Sequence, residues 1–334
     1  MKIYIKTTEA CQLHCQHCYI GEHRKKLRLF DETMTEAWVK ELLCVHHIPE
    51  SSINFSFHGG EPFIAPIVKM RKFAEAFPSA RFDSTTNLCY ELTDDFFSFV
   101  LGTFRDPEKN NRPFLKTSYD YRIRFTPEQL SLWKHNIDIL NHHDIDVRVI
   151  TCLTSYLVDE LDPEQLFDFY YSLGIREVHF ERLTPNTTED KTLIPDYVKQ
   201  DEWLTRFYQI NRGEIFVDNF EELEHACKHE YINCRGRHCM RDVITINADG
   251  TIGGCPNSAP YHSFTSIYVD PKDFFKNKVR DELIHVEKLR NPECYVCDLF
   301  EICNGDCHQL SWQGNICPAP KHLIRTINYD VKHC

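Results

Sequence analysis

The feature that most constrains the fold is a regular alternation of strand-like and helix-like segments through the first half of the chain. Strand patterns are predicted over Lys2–Thr7, Ile53–Phe57, Arg81–Thr85, Phe114–Ser118, Asp146–Leu153 and Glu177–Phe180. Helical patterns are predicted between them, over Thr35–His47, Pro66–Phe77, Thr93–Leu101, Pro127–His142 and Pro163–Leu173. Thr35, Thr93, Thr126 and Asp162 stand where N-caps belong, and Pro127 and Pro163 occupy first-turn positions. Strands joined by helices need crossovers, so the expected fold is α/β with a parallel sheet. Periodicity leaves an open doubly wound sheet and a barrel equally open. In both, ligands gather at the C-terminal ends of the strands.

The alternation stops near Pro195. Residues 196–230 read as a helical bridging segment, and residues 231–334 as a loop-rich region in which nine of the sixteen cysteines fall. Val243–Asn247, the turn Ala248-Asp249-Gly250, and Thr251-Ile252 form a hairpin pattern. The division expected is therefore 1–195, 196–230 and 231–334. A chain of 334 residues is large enough for two domains and needs no disulfide staples. It opens with no basic–apolar signal peptide, and no apolar run approaches the roughly eighteen residues of a membrane span. Free thiols in such number fit the cytoplasm. The net charge of −12 argues against broad nucleic-acid binding.

Cys11, Cys15 and Cys18 follow the first strand in the run CQLHCQHCY. Three thiolates on one short loop suit an iron–sulfur cube whose fourth iron stays open. Electron-carrier clusters use four cysteines. Zinc is the competing reading of such spacings. The second strand runs into Gly59-Gly60-Glu61-Pro62. In this order, the cysteine motif and GGEP resemble the radical SAM (S-adenosylmethionine) superfamily. The resemblance implies a partial (β/α)6, TIM-like barrel, with a 4Fe–4S cluster on Cys11, Cys15 and Cys18 and SAM on the open iron. Gly59, Gly60, Glu61 and Pro62 would hold the SAM ammonium. Tyr19 would pack near the adenine, with Thr86 and Asn87 after strand three. Ser118 and Asp120 would meet the ribose and methionine; Glu181 and Arg182 would meet the cofactor or substrate, with a buried ion pair as the equal alternative. The stretch Tyr119-Asp120-Tyr121-Arg122 lacks the glycine usual there. His14, His17 and His58 receive no role.

The C-terminal cysteines resemble the SPASM extension. Its order is matched by Cys239, Gly250 and Cys255, then Cys294, Cys297, Cys303 and Cys307, then Cys317, with Cys234 as an eighth thiolate. The resemblance implies two auxiliary 4Fe–4S clusters, three clusters in all. One would be held by Cys234, Cys239, Cys255 and Cys307, the other by Cys294, Cys297, Cys303 and Cys317. Two four-cysteine zinc sites are the alternative. Of the rest, Cys44, Cys227 and Cys334 read as packing or idle thiols. Cys89 and Cys152 lie near strand ends and are candidate hydrogen-atom donors.

Together these motifs imply an oxidoreductase that cleaves SAM to a 5′-deoxyadenosyl radical and abstracts a hydrogen atom from substrate. The product would be a crosslink, a thioether or a dehydrogenated residue. Most SPASM enzymes of this type mature ribosomal peptides or proteins. An acid that follows the second cysteine of the first auxiliary set in sulfatase maturases is here Pro256, then Asn257, which speaks against formylglycine formation. With ten residues before Cys11, no leader-binding domain is expected ahead of the barrel, and a leader is expected to bind a separate protein or the barrel rim. A dehydrogenase, epimerase or mutase acting on a sugar, amino acid or nucleotide is the alternative. A non-catalytic electron carrier is the third reading. Arg24-Lys25-Lys26-Leu27-Arg28 would dock an acidic reductant, flavodoxin or ferredoxin.

Overall fold

The computed structural model describes residues 1–21, 27–184, 190–230, 238–258 and 262–333. Its strands are β1 (Lys2–Thr8), β2 (Asn54–Gly59), β3 (Arg81–Ser84), β4 (Arg105–Asp106), β5 (Arg112–Ser118), β6 (Asp146–Leu153), β7 (Glu177–Arg182), β8 (Phe216–Val217), β9 (Val243–Ile246), β10 (Thr251–Gly253) and β11 (Ser263–Ser266). β1, β2 and β3 pair in parallel, as do β5, β6, β7 and β8. A parallel bridge between Thr85 and Lys116 links the two groups. The six expected strands thus form one curled parallel sheet, a partial barrel rather than an open doubly wound sheet.

Period-two patterning makes the sheet two-sided. Ile3, Ile5, Phe55, Phe57, Phe82, Leu115, Val147, Val149, Val178 and Phe180 are buried in the apolar layer beneath the helices. The alternate positions carry Lys2, Tyr4, Asn54, Lys116, Arg148, His179 and Glu181, which line a polar interior. Such alternation is what a sheet with one face on a core and one on a cavity requires.

Helix starts follow local capping chemistry. Thr93, Thr126 and Asp162 cap their helices as expected, the last two with full capping boxes. Thr35 does not. Its helix begins a turn earlier, at Glu32–Val45, because the Asp31 carboxylate accepts from the Met34 amide, leaving Thr35 buried inside. The bridging segment holds helices Tyr197–Asn211 and Asp218–Cys227, with the short β8 between them that periodicity did not reveal.

The hairpin turns at Gly250, φ +84°. β9 also pairs in parallel with β1, Lys2 opposite Val243 through Ile5 opposite Ile246. The cysteine-rich region therefore extends the barrel sheet past its first strand. Its last helix, Lys321–His333, buries Leu323, Ile324 and Ile327 and receives a 3.0 Å hydrogen bond at Asp330 from the Tyr208 hydroxyl. No described helix is long and apolar enough to cross a membrane.

Candidate functional site

The loop after β1 sits at the mouth of the barrel. Cys15 is buried, and Cys11 and Cys18 are partly exposed. The Leu13 amide donates to the Cys11 sulfur at 3.4 Å, and the Asn87 amide nitrogen lies 3.6 Å from it. Asn87 is itself held, its oxygen accepting from Gln12 Nε2 and the Cys89 amide. The glycines of GGEP let two backbones touch. A Cβ on Gly59 would stand 2.0 Å from the Thr8 carbonyl oxygen, and one on Gly60 2.2 Å from that of Ala10. Gly60 and Glu61 donate to the Thr8 and Ala10 carbonyls at 2.9 and 2.8 Å, which fixes the cysteine loop to the end of β2. Pro62 opens a short 3-10 turn and accepts from the Thr7 hydroxyl.

Glu61 is fully buried. Its carboxylate accepts from the Thr86 hydroxyl and the Asn87 amide, both at 2.7 Å, and from the Phe63 amide at 3.1 Å. Burial raises it to about 7 against these donors. Its side chain therefore ties the end of β2 to the segment after β3, rather than facing a ligand as expected, and leaves the neighbouring backbone to do so. Leu88, next in that segment, is left-handed at φ +54°, with its carbonyl held by Asn136. A buried leucine in that region costs about 1–2 kcal/mol, and the surrounding hydrogen bonds keep it there.

Ser118 ends β5, buried beside its register partner Ile150. Asp120 follows as a second hub. It accepts from Arg124 Nε at 2.5 Å, from His17 Nε2 at 3.2 Å and from the Cys152 amide at 2.7 Å. Burial opposes its ionisation, but Arg124 and His17 hold it well below the usual carboxylate range. Asp120 thus clamps the cysteine loop, β5 and β6 together instead of pointing at a ribose. His17, Cys152 and Asp120 are the one described group of three or more potential metal ligands within 4.8 Å of one another. The guanidinium on the same carboxylate makes it an ion-pair centre rather than a cation site. His17 and Arg124 were legible only as a histidine between two cysteines and as a basic residue four after Asp120.

Tyr19 points into the barrel, its hydroxyl 3.4 Å from His58 Nδ1 and its ring under Lys6 Nζ. It packs against β1 and β2. Lys6 is 1% exposed and donates to the Pro256 carbonyl at 3.3 Å, joining the two cysteine regions through one side chain. Cys89 is half-buried with its sulfur 3.7 Å from the Gln129 carbonyl, and Cys152 is buried. Burial pushes the Cys89 thiol up to about 12 and that of Cys152 well above its ordinary value. Both are neutral thiols at ordinary pH, the state a hydrogen-atom donor needs.

Glu181 stands opposite Cys152 in the register and borders an interior cavity of about 970 Å³. Arg182 gives both terminal nitrogens to Asp306, and one also reaches the Pro318 carbonyl at 3.4 Å. Of the two expectations for it, a cofactor or substrate contact and a buried ion pair, the structure shows the ion pair, which struts β7 to the cysteine-rich region. Asn304, Gly305 and Asp306 are all left-handed (φ +51°, +75° and +53°), and Asp306 also accepts from the Cys307 amide at 2.7 Å. An aspartate beside a candidate ligand was the available signal; its partner 124 residues away was not readable.

Cys239, Cys255 and Cys307 border the large cavity, while Cys294, Cys297, Cys303 and Cys317 line a separate small one of about 20 Å³. A tetrahedral zinc with Zn–S near 2.3 Å would hold its sulfurs about 3.8 Å apart. Among the described residues no cysteine set closes within 4.8 Å, so the sets are more open than a single ion requires. Cys234 and Arg24-Lys25-Lys26 lie outside the described residues, as does Cys334.

No protein-family model matches the chain. The serine-type anaerobic sulfatase-maturating enzyme of Klebsiella aerogenes is 22% identical over 335 residues, covering 92% of this chain and 79% of that protein. Native anSMEcpe with bound AdoMet and Kp18Cys peptide superposes with a TM-score of 0.78 at 15% identity, over 99% of this chain and 96% of that one. Streptococcus suis SuiB bound to its precursor peptide SuiA gives 0.61 at 14% identity, over 92% and 72%. The fold is an α/β partial barrel with a cysteine-rich C-terminal region, the fold shared with anSMEcpe. In sequence the chain is similar to anaerobic sulfatase-maturating enzymes.

Proposed function

We propose that this enzyme matures a peptide or protein substrate by radical chemistry. The cysteine sets carry the reading: the three-cysteine loop is pinned by hydrogen bonds to the end of β2, and Cys239, Cys255 and Cys307 of a second set border the interior cavity. Three 4Fe–4S clusters would be held by Cys11, Cys15 and Cys18, by Cys234, Cys239, Cys255 and Cys307, and by Cys294, Cys297, Cys303 and Cys317. When bound, the first cluster supplies the electron that splits SAM into methionine and a 5′-deoxyadenosyl radical, which abstracts a substrate hydrogen atom.

The chain's own residues set the stage. The Asn87 side-chain nitrogen and the Leu13 amide direct donors at the Cys11 sulfur, the kind of hydrogen bond that orients a metal-ligating side chain. The backbone of Gly60 and Glu61, pinned to the cysteine loop, presents the SAM-facing surface. Cys89 and Cys152 are placed to return a hydrogen atom if the product is an epimer. Residues 231–334 form the SPASM unit and residues 196–230 bridge it to the barrel. A peptide substrate is supported by the peptides bound to anSMEcpe and SuiB. Pro256 offers no carboxylate after Cys255, which supports a product other than formylglycine. A flavodoxin or ferredoxin would supply electrons, and a separate protein would present any leader, in the cytoplasm.

The test is anaerobic 5′-deoxyadenosine formation by reconstituted enzyme with SAM, reductant and size-filtered host extract. Stimulation by the retained, protease-sensitive fraction is expected. Stimulation by the filtrate alone would turn the reading to a small-molecule substrate.

A further inference from the structure

The charged side chains lining the cavity form several ion-pair clusters, which differ in how far their carboxylates are exposed. Lys2 and Lys116 both reach Asp83, at 3.1 and 2.9 Å. Arg148 sits between Asp106 and Glu177. Arg182 is matched by Asp306. The carboxylates of these three clusters are buried or nearly so, whereas near the C-terminal end of β7 two carboxylates stay open to the cavity. His179 Nδ1 lies 2.7 Å from Asp218 Oδ1, and Nε2 lies 3.2 Å from Glu181 Oε2. One imidazole serves two carboxylates. Burial alone would lower the imidazole, but Asp218 and then Glu181 overcome it and raise it to about 10. His179 is therefore a cation near neutral pH, shared between the two carboxylates.

Two elements fix this geometry. His179 and Glu181 are alternate inward residues of β7. Asp218 begins the helix Asp218–Cys227, whose Asn219 side chain accepts from the Phe180 amide at 2.6 Å. The carboxylate side chains keep 44% and 43% of their surface, and all three residues line the cavity. Glu181 is the register partner of Cys152, and the same cavity reaches Cys239, Cys255 and Cys307. A substrate group held here would lie between the barrel mouth and the cysteine-rich region.

We propose that Glu181 and Asp218, oriented by His179, form the specificity wall of the substrate cavity and take the cationic side chain of a lysine or arginine in the substrate peptide. His179 is a positioning residue: it holds both carboxylates without neutralising them. The proposal rests on the peptide reading above. Charge-assisted hydrogen bonds in a partly enclosed site discriminate a cation from a neutral isostere by about 10- to 100-fold.

The experiment uses the reconstituted full chain with SAM and two short peptide libraries, identical except that one central position carries lysine or N-acetyl-lysine. Each is tested with free and with acetylated N-termini. The lysine library should bind at least about tenfold more tightly, with strong salt dependence. The preference should fall to within about twofold in Glu181→Gln and Asp218→Asn, whose folding is checked by urea unfolding. Glu181→Lys should instead favour a glutamate library. Equal binding of lysine and acetyl-lysine peptides overturns the proposal while leaving the peptide reading intact. A preference that follows only the free N-terminus overturns the side-chain assignment. Failure of every library to bind, with SAM cleavage intact, overturns both.

Discussion

Replacing Gly60 by alanine tests how the cysteine loop is held. The added Cβ would stand 2.2 Å from the Ala10 carbonyl oxygen, 2.4 Å from that of Glu9 and 2.6 Å from the Ala10 carbonyl carbon. Ordinary carbon–oxygen contacts begin near 3.3 Å, so one backbone must retreat by about 1 Å. Neither obstacle is a flexible side chain. The retreat breaks the hydrogen bonds from Gly60 to Thr8 and from Glu61 to Ala10. Each is worth about 1 kcal/mol, and each group left buried and unpaired costs about 1–3 kcal/mol. The chain-entropy gain of alanine, about 0.4–1 kcal/mol, does not offset this. The expected loss is about 2–5 kcal/mol, read as a lower urea midpoint at unchanged slope. The same shift displaces Cys11, and a 1 Å misplacement costs about 100-fold in rate. SAM cleavage and iron content after anaerobic reconstitution should therefore fall too. Gly102→Ala is the control: it lies in the helix Asp94–Thr103 with nothing within 4 Å of its Cβ, and should stabilise by about 0.5–1 kcal/mol. A Gly60→Ala protein as stable and as active as wild type would refute the close-approach argument.

Other outcomes follow from the same geometry. Cys11→Ala, Cys15→Ala or Cys18→Ala should abolish SAM cleavage, whereas Cys239→Ala or Cys297→Ala should spare it and block product, as chromatography of 5′-deoxyadenosine and product would read. Asp306→Asn leaves Arg182 buried without its counter-charge and should cost about 3–5 kcal/mol in urea unfolding; Arg182→Met with Asp306→Asn should recover part of it. His179 is raised from 6.5 to about 10, so its contribution to stability is full below about pH 6.5 and is lost as pH rises through about 10. The stability gap between wild type and His179→Gln should shrink over that interval, and a constant gap would contradict the ion-pair assignment. If the product is an epimer, Cys152→Ala or Cys89→Ala should stall hydrogen return and raise the unrepaired or oxidised product seen by mass spectrometry.

What the chain alone determined was local. Alternating strands and helices, three of the four expected caps, the hairpin at Asp249-Gly250 and the cysteine spacings are all carried by residues close in sequence, where periodicity and turn chemistry act directly. The division of the C-terminal cysteines into two sets came from the resemblance and not from spacing, since Cys307 of one set lies in sequence between Cys303 and Cys317 of the other. Tertiary structure decided what distant side chains do. Glu61 and Asp120 were expected to face a cofactor. In the fold they are hubs, because burial obliges a carboxylate to satisfy its oxygens and donors from other strands stand within reach. Arg182 found Asp306, and Lys6 found Pro256, across 124 and 250 residues. The closing of the sheet into a partial barrel, the addition of β9 to β1, and the meeting of His179 with Asp218 depend on that same long-range packing. No local pattern encodes which element will arrive opposite; only the curled sheet, by bringing six strand ends to one cavity, settles it.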